Sequence, residues 1–383
     1  MSTTLKIVFT LLLISSIHGV NGQALDKLLN LLTVHPNTKA VERDSSLYPA
    51  KAILTPVVSF APETNLSIGV GIKGLFKMKG SGDETRTSNL PLTVQYTIEN
   101  RYFFFSGFEI FSPQEKYVLT GTMLAQSFPS LFFGIGPDTP KSNEEKFDYS
   151  QVLLEPIFLK NLFKRYLFFG AGIRYNKINK VEALPNGLLR NTSQTGALGS
   201  TSSGLQLAML YDSRDNILNA SKGLFISLTH GFYGDWLGSS HDFQLTKLDF
   251  RYFIQPLGEP SSIVGFHFLS QLSQGDTPLQ ELGQLGGHEI MRGYFEGRYT
   301  DRQLIATQVE WRQKLTHRWG AVAFVGVGNV APSFDSFDFG TLRTSFGLGL
   351  RFLVDEEENL NVRLDFGIGN EKANYYFKIA EAF

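Results

Sequence analysis

The chain has 383 residues, a formal net charge of -1 and no cysteine, which excludes a disulfide scaffold, thiolate chemistry and electrostatic capture of nucleic acid. Hydrophobic residues make up 42% and aromatics 13% of it, yet the mean hydropathy is only -0.07. Beyond the N-terminus no run approaches the ~18 apolar residues of a spanning helix, so an apolar wall would have to be built from every second residue.

Residues 1–22 read as a secretory signal: Lys6 supplies the positive n-region, Ile7 to Ile17 the apolar segment, and Val20 and Gly22 the small residues before a cleavage site. An uncleaved anchor would need a longer apolar run. Export without a stop-transfer helix leaves the periplasm, the outer membrane or the exterior. Residues 23–50 form a separate segment. There Leu25, Leu28, Leu29 and Leu32 stand at helical spacing before Pro36 and Asn37 interrupt, so a short periplasmic helix and a linker are expected.

From about Lys51 the period changes to two and holds to the end. Val362, Leu364, Phe366 and Ile368 fall on one face, Arg363 and Asp365 on the other. Leu248, Phe250 and Tyr252 likewise oppose Lys247, Asp249 and Arg251, and Phe346, Leu348, Leu350 and Phe352 oppose Gly347, Gly349 and Arg351. Charges and glycines on one side with aromatics on the other match a wet lumen and a lipid-facing wall. In a soluble sandwich the apolar faces would meet across a dry core instead. The segmentation gives about sixteen strands, near 51–60, 65–78, 87–98, 101–111, 116–126, 148–159, 164–177, 204–213, 222–233, 241–254, 260–272, 303–314, 317–329, 341–352, 359–369 and 373–383. The long connections, 127–147, 178–203, 273–302 and 330–340, follow odd-numbered strands, as outer loops do when both termini face the periplasm. The expected fold is therefore all-β: a transmembrane antiparallel barrel over 51–383, in the outer membrane of a Gram-negative bacterium.

Several motifs carry no chemistry. Gly69-Val70-Gly71-Ile72-Lys73-Gly74 satisfies a dinucleotide-binding spacing, but it alternates as a strand and no helix follows. His288-Glu289 begins like a zinc-protease motif, yet Arg292 stands where the second His belongs. Asp355-Glu356-Glu357-Glu358 lacks the spaced oxygens of a calcium loop and reads as a solvated turn. No G-x-S-x-G elbow occurs. Neither a metal nor a cofactor nor an enzymatic activity is expected.

Three features stand out. In the sixth outer loop, Leu285-Gly286-Gly287-His288-Glu289-Ile290-Met291-Arg292-Gly293-Tyr294 sets tight glycines around a single Arg. An exposed loop needs no such construction, so the loop is expected to fold back into the lumen. There Arg292 requires a carboxylate, since a desolvated guanidinium is costly unpaired. Glu310, between Gln308 and Arg312 on the polar face of the next strand, is the candidate. The second feature is the C-terminus, where Tyr375, Phe377, Ile379 and Phe383 form an aromatic closing strand; such an edge would invite aggregation in a soluble protein. The expectation is that this strand, ending on Phe383, closes against the first strand and sits in the interfacial girdle. The third is the polar turn Asp212-Ser213-Arg214-Asp215-Asn216, followed by Gly223.

Together with Phe346-Gly347-Leu348-Gly349-Leu350-Arg351 and Arg363-Leu364-Asp365-Phe366-Gly367, these residues resemble the BamA/TamA (bacterial surface antigen) barrel superfamily, firmly over 204–383 and, upstream, through Pro56 to Gly71 and the strand rhythm. The resemblance implies sixteen strands, with the Arg-Gly-Tyr loop (here Arg292, Gly293 and Tyr294) inserted in the lumen and its Arg paired with acidic wall residues. The family's strand-13 pattern Phe-x-Asp-x-Gly has Gly326 in place of Asp here, which turns the expected pairing to Glu310. Family members that assemble or secrete proteins carry periplasmic polypeptide-transport-associated (POTRA) domains, for which residues 23–50 offer no room. The function this implies is insertion or translocation of protein or lipid at the outer membrane through a gate between the first and last strands. Its partners would be membrane lipid and accessory proteins that recruit clients. A passive pore, a specific transporter or a structural subunit of a larger complex would use the same residues.

Overall fold

A computed structural model of the protein describes residues 33–34, 50–61, 65–98, 100–163, 166–259, 261–356, 358–370 and 373–383, without the side chains of 33, 34, 55–61, 65, 66 and 339. The signal segment and the helix expected at Ala24 to Leu32 lie outside these residues.

Among the described residues, sixteen long strands follow the two-residue alternation: β1 (Lys51–Ala61), β2 (Asn65–Phe76), β3 (Ser88–Thr97), β4 (Tyr102–Phe111), β5 (Tyr117–Phe132), β6 (Glu145–Asn161), β7 (Leu167–Glu182), β8 (Ser200–Asp212), β9 (Gly223–Tyr233), β10 (Phe243–Ile254), β11 (Ser262–Gly275), β12 (Gln303–Lys314), β13 (Trp319–Ala331), β14 (Arg343–Asp355), β15 (Leu360–Ile368) and β16 (Ala373–Ile379). Each pairs antiparallel with the next in a single large sheet. Thr33–Val34 adds a short strand to β1, opposite Ile53 and Ala52. No described helix is long and apolar enough to cross a membrane; the strands do the crossing.

Register carries the polarity of one strand to its neighbour. Gly265 stands opposite Glu310, Glu310 opposite Phe324, Phe324 opposite Gly347, and Gly347 opposite Gly367. This row and its two-residue repeats face the lumen. The intervening residues face outward: Ile68, Val94, Leu207, Leu348 and Phe377 are all more than half exposed. Side chains of that kind around a polar interior are a lipid-facing wall.

Three strands depart most from expectation. β5 and β7 run past the ends read from sequence, and Pro129, a breaker by composition, pairs with Asp148 inside the ladder near the rim. The last strand is the larger correction, for it stops at Ile379 rather than at 383. Ala380 has a φ of 69°, a left-handed conformation that ends an extended strand. The chain then turns inward, and Phe383 is buried against Phe253 and His267 inside the barrel instead of sitting in the girdle. Tyr375 and Phe377 do face outward.

Candidate functional site

The connection between β11 and β12 does not project outward. A small hairpin, Gly283–Leu285 against Tyr299–Asp301, lifts the segment 286–298 into the barrel. Gly286 and Gly293 lie at φ of 113° and 117°, where residues with a Cβ are strained. Leu285, Ile290, Met291, Tyr294 and Tyr299 bury together with Leu304, Ala306 and Val330 of the wall. This apolar packing fixes the loop, and the tip residue between Met291 and Gly293 is left pointing at the wall.

That residue is Arg292, fully buried. Its guanidinium donates to Glu310 of β12 and, at 2.6 Å, to Asp365 of β15, and it lies 3.6 Å over the centre of the Phe324 ring. Both carboxylates are fully buried as well. Glu310 also accepts from Arg312 at 2.7 Å, while Asp365 accepts from Arg351 at 2.5 Å and Arg363 at 2.6 Å. Arg351 in turn donates to Glu381 at 2.6 Å, and Arg312 to the main-chain oxygen of Phe383 at 2.9 Å. A cluster of this kind avoids the cost of isolated buried charge because every carboxylate has at least two donors.

The structure thus brings Arg292 and Glu310 together and adds Asp365, which sequence reasoning did not select as a partner. The signal for it was present: Asp365 stands on the polar face of a segment already singled out. Gly326, where the family pattern has Asp, is also explained. A Cβ there would lie 3.2 Å from the sulfur of Met291 and 3.0 Å from the Ser345 hydroxyl, so the space is filled by the loop itself.

Glycines let the loop backbone touch the wall. A Cβ on Gly367 would stand 2.7 Å from the carbonyl carbon of Arg292, and one on Gly293 would stand 2.5 Å from that of Ile368. The tip also reaches the last strand. The Gly293 N–H donates to the Tyr376 hydroxyl at 2.9 Å, and the Asn374 amide donates to the Gly293 carbonyl at 2.8 Å. Tyr294 donates its hydroxyl to the Thr344 carbonyl at 2.9 Å. Gly287, at φ 120°, accompanies Gly286 at the entry to the tip, and its N–H donates to the Tyr294 carbonyl at 3.2 Å.

The loop has a second anchor that the sequence reading missed. Glu281, at its start, is buried and accepts from Arg174 at 2.9 Å and Asn176 at 2.6 Å, both on β7. Arg174 is held from its other side by Glu155 at 2.6 Å. Across the outer rim, Arg298 donates to the Thr139 carbonyl at 3.0 Å and lies between the rings of Phe133 and Tyr299. The loop therefore bridges the interior from β7 to β12, β15 and β16. Among the described residues no group of three or more His, Cys, Asp or Glu side chains is placed to hold a metal.

The Omp85 superfamily domain matches residues 161–383, the part of the chain that holds the loop, its partners on β12, β15 and β16, and the polar turn after β8. No curated protein matches the chain. Among solved structures the fold is similar to BamA from Haemophilus ducreyi lacking POTRA domains 1–3, at 12% identity and a TM-score of 0.55, over 91% of this chain and 74% of that one. It is also similar to CdiB from Acinetobacter baumannii, at 12% identity and a TM-score of 0.53, over 86% of this chain and 59% of that one. Identities this low establish the shared barrel and nothing finer. The match over more than half of the sequence, on a barrel with its sixth loop pinned inside, makes this chain a member of the Omp85 superfamily of β-barrel outer-membrane proteins.

Proposed function

We propose that the protein, acting without catalysis, assists insertion or translocation of protein or lipid at the outer membrane through the seam between β1 and β16. The observation that carries this reading is the hold of the loop tip on β16, through Asn374 and Tyr376 to the two sides of Gly293. The interior of the barrel is thereby tied to one of the two strands of the proposed seam. Among the described residues β16 has seven residues against eleven in β1, and Thr33–Val34 covers β1 only opposite Ile53 and Ala52, so the two seam strands do not match along their whole length. A free edge pairs readily with an incoming strand. The exposure of Tyr375 and Phe377 on the outward face of β16 supports an edge that would meet lipid, where a client strand would arrive. Accessory proteins in the periplasm would deliver such clients.

Locking the seam tests the proposal. The chain has no cysteine, so one residue of β1 and one of β16 can be replaced by Cys and joined by oxidation. In a strain depleted of the native protein, the reduced variant restores the missing outer-membrane proteins or surface lipids and the oxidised variant does not. A strain that assembles its full set of both while the protein is depleted refutes the role.

A further inference from the structure

The rim with the short turns, which is the periplasmic one in barrels of this kind, carries two connections that are not short. Residues 77–87 join β2 to β3, and residues 213–222 join β8 to β9. Both fold across the opening. β8 and β15 are seven strands apart in the sheet, about 34 Å along the wall at the usual strand spacing. Yet the Asn216 amide donates to the Glu358 carbonyl at 3.1 Å, and the Asn359 amide donates to the Asn219 carbonyl at 3.4 Å. Leu218 is buried between Leu75 of β2 and Leu360 of β15. These contacts form only if the turn lies over the mouth.

The turn is built to hold a shape. Asp215 accepts from the Ser221 N–H at 2.9 Å and from the Ser221 hydroxyl at 2.5 Å, and Asn216 accepts from the N–H groups of Leu218 and Asn219 at 2.7 and 2.9 Å. Its near end is pinned from the opposite side of the opening. Arg86, on the 77–87 turn, donates to Asp212 at 2.6 Å and to Glu115 at 2.8 Å, with its guanidinium 4.4 Å over the Phe111 ring. Asp212 is itself buried and shared with Arg214.

We infer that residues 213–222 are a lid over the periplasmic mouth, latched by Arg86 on one side and by the Asn216 and Asn359 amides on the other, which closes the lumen to solutes and opens as a unit. Nothing in this depends on the seam, because it concerns access to the lumen. On β9, the strand that the lid leads into, Phe225 and Ser227 join Glu109 in lining an interior cavity of about 60 Å³, and Ser227 makes a suitable reporter.

The experiment uses the full barrel carrying Ser227→Cys, whose thiol is then the only one in the chain, and a maleimide too large to pass porins. It is applied to intact cells, where it meets the outer face alone, and to outer-membrane fragments, where it meets both faces. With the lid intact, labelling is slow in both. Arg86→Ala raises the rate in fragments about tenfold, as does the pair Asn216→Ala with Asn359→Ala, since each removes latch bonds that shift a local opening equilibrium. Neither change affects labelling in intact cells. The amide pair leaves no buried charge behind, so it carries the test if Arg86→Ala does not fold, as judged by heat-modifiable migration on gels. Rapid labelling of fragments with the lid intact, unchanged rates in folded lid variants, or acceleration in intact cells would each overturn the inference.

Discussion

Replacing Arg292 and Glu310 by Ala, singly and together, measures how much the pinned loop stabilises the barrel. Arg292→Ala removes two charge-assisted hydrogen bonds and the contact with Phe324. Breaking a buried ion pair costs about 3–5 kcal/mol, most of it from the charge left behind. Here neither carboxylate is orphaned, because Glu310 keeps Arg312 and Asp365 keeps Arg351 and Arg363. The expected loss is therefore at the low end, about 3 kcal/mol. Glu310→Ala leaves Arg292 with Asp365 and Arg312 with Phe383, so its cost is similar. Once either partner is gone, removing the other no longer breaks their bond. The double variant should lie about 1–3 kcal/mol short of the added single effects, as for residues in direct contact. Urea unfolding of the barrel reconstituted in lipid vesicles, followed by fluorescence of the three tryptophans, gives all four corners of the cycle. A double variant within about 0.5 kcal/mol of the added single effects would show that the two side chains act independently, and the pinned-loop account would fail with that result.

Gly326→Asp, which restores the family residue, should destabilise the barrel by about 1–3 kcal/mol through overpacking against Met291, and adding Met291→Ala should relieve it in the same urea assay. Glu281→Gln weakens the anchor on Arg174; limited proteolysis from the outer face should then cut within 276–302 faster, while the Arg292 end stays protected. The His288 imidazole is held down to about 4, first by its enclosure and then by repulsion from Lys378. A histidine depressed in the folded state is protonated more easily when the chain unfolds, so its contribution is present above its ordinary value near 6.5 and is lost as pH falls toward 4. His288→Gln should lessen the acid sensitivity of the barrel between those values, and an unchanged pH profile would contradict the assignment. The effect is modest, because the ring is still partly open to lumen water.

The wall was legible because alternation is local. Arg351, Arg363 and Asp365 announce their lumen face within their own strands, and register transmits it to neighbours. The Arg292 loop was legible because its glycines have no other use in an exposed segment. Other features were hidden for a common reason. Asp365 as a second acceptor, Glu281 on Arg174, and Arg86 on Asp212 are contacts of loops and turns with strands far away in sequence, and no periodicity encodes which polar residues meet there. The end of β16 was misread because Tyr375, Phe377 and Ile379 alternate cleanly up to Ala380, and a single left-handed residue leaves no trace in such a pattern.

The distances along the chain between Arg292 and its partners impose a chronology on biogenesis. Its acceptors lie 18 and 73 residues further on, and its tip contacts on β16 are 81 and 83 residues from Gly293. While the last two strands are missing, the guanidinium has at most one of its two carboxylates, and docking would bury charge without full compensation. Full pairing of the loop tip therefore requires β15 and β16 to be in place, and such long-range closure is intrinsically slow. In a half-made barrel the arginine would be better solvated than docked, so its seating is a signature of the finished molecule.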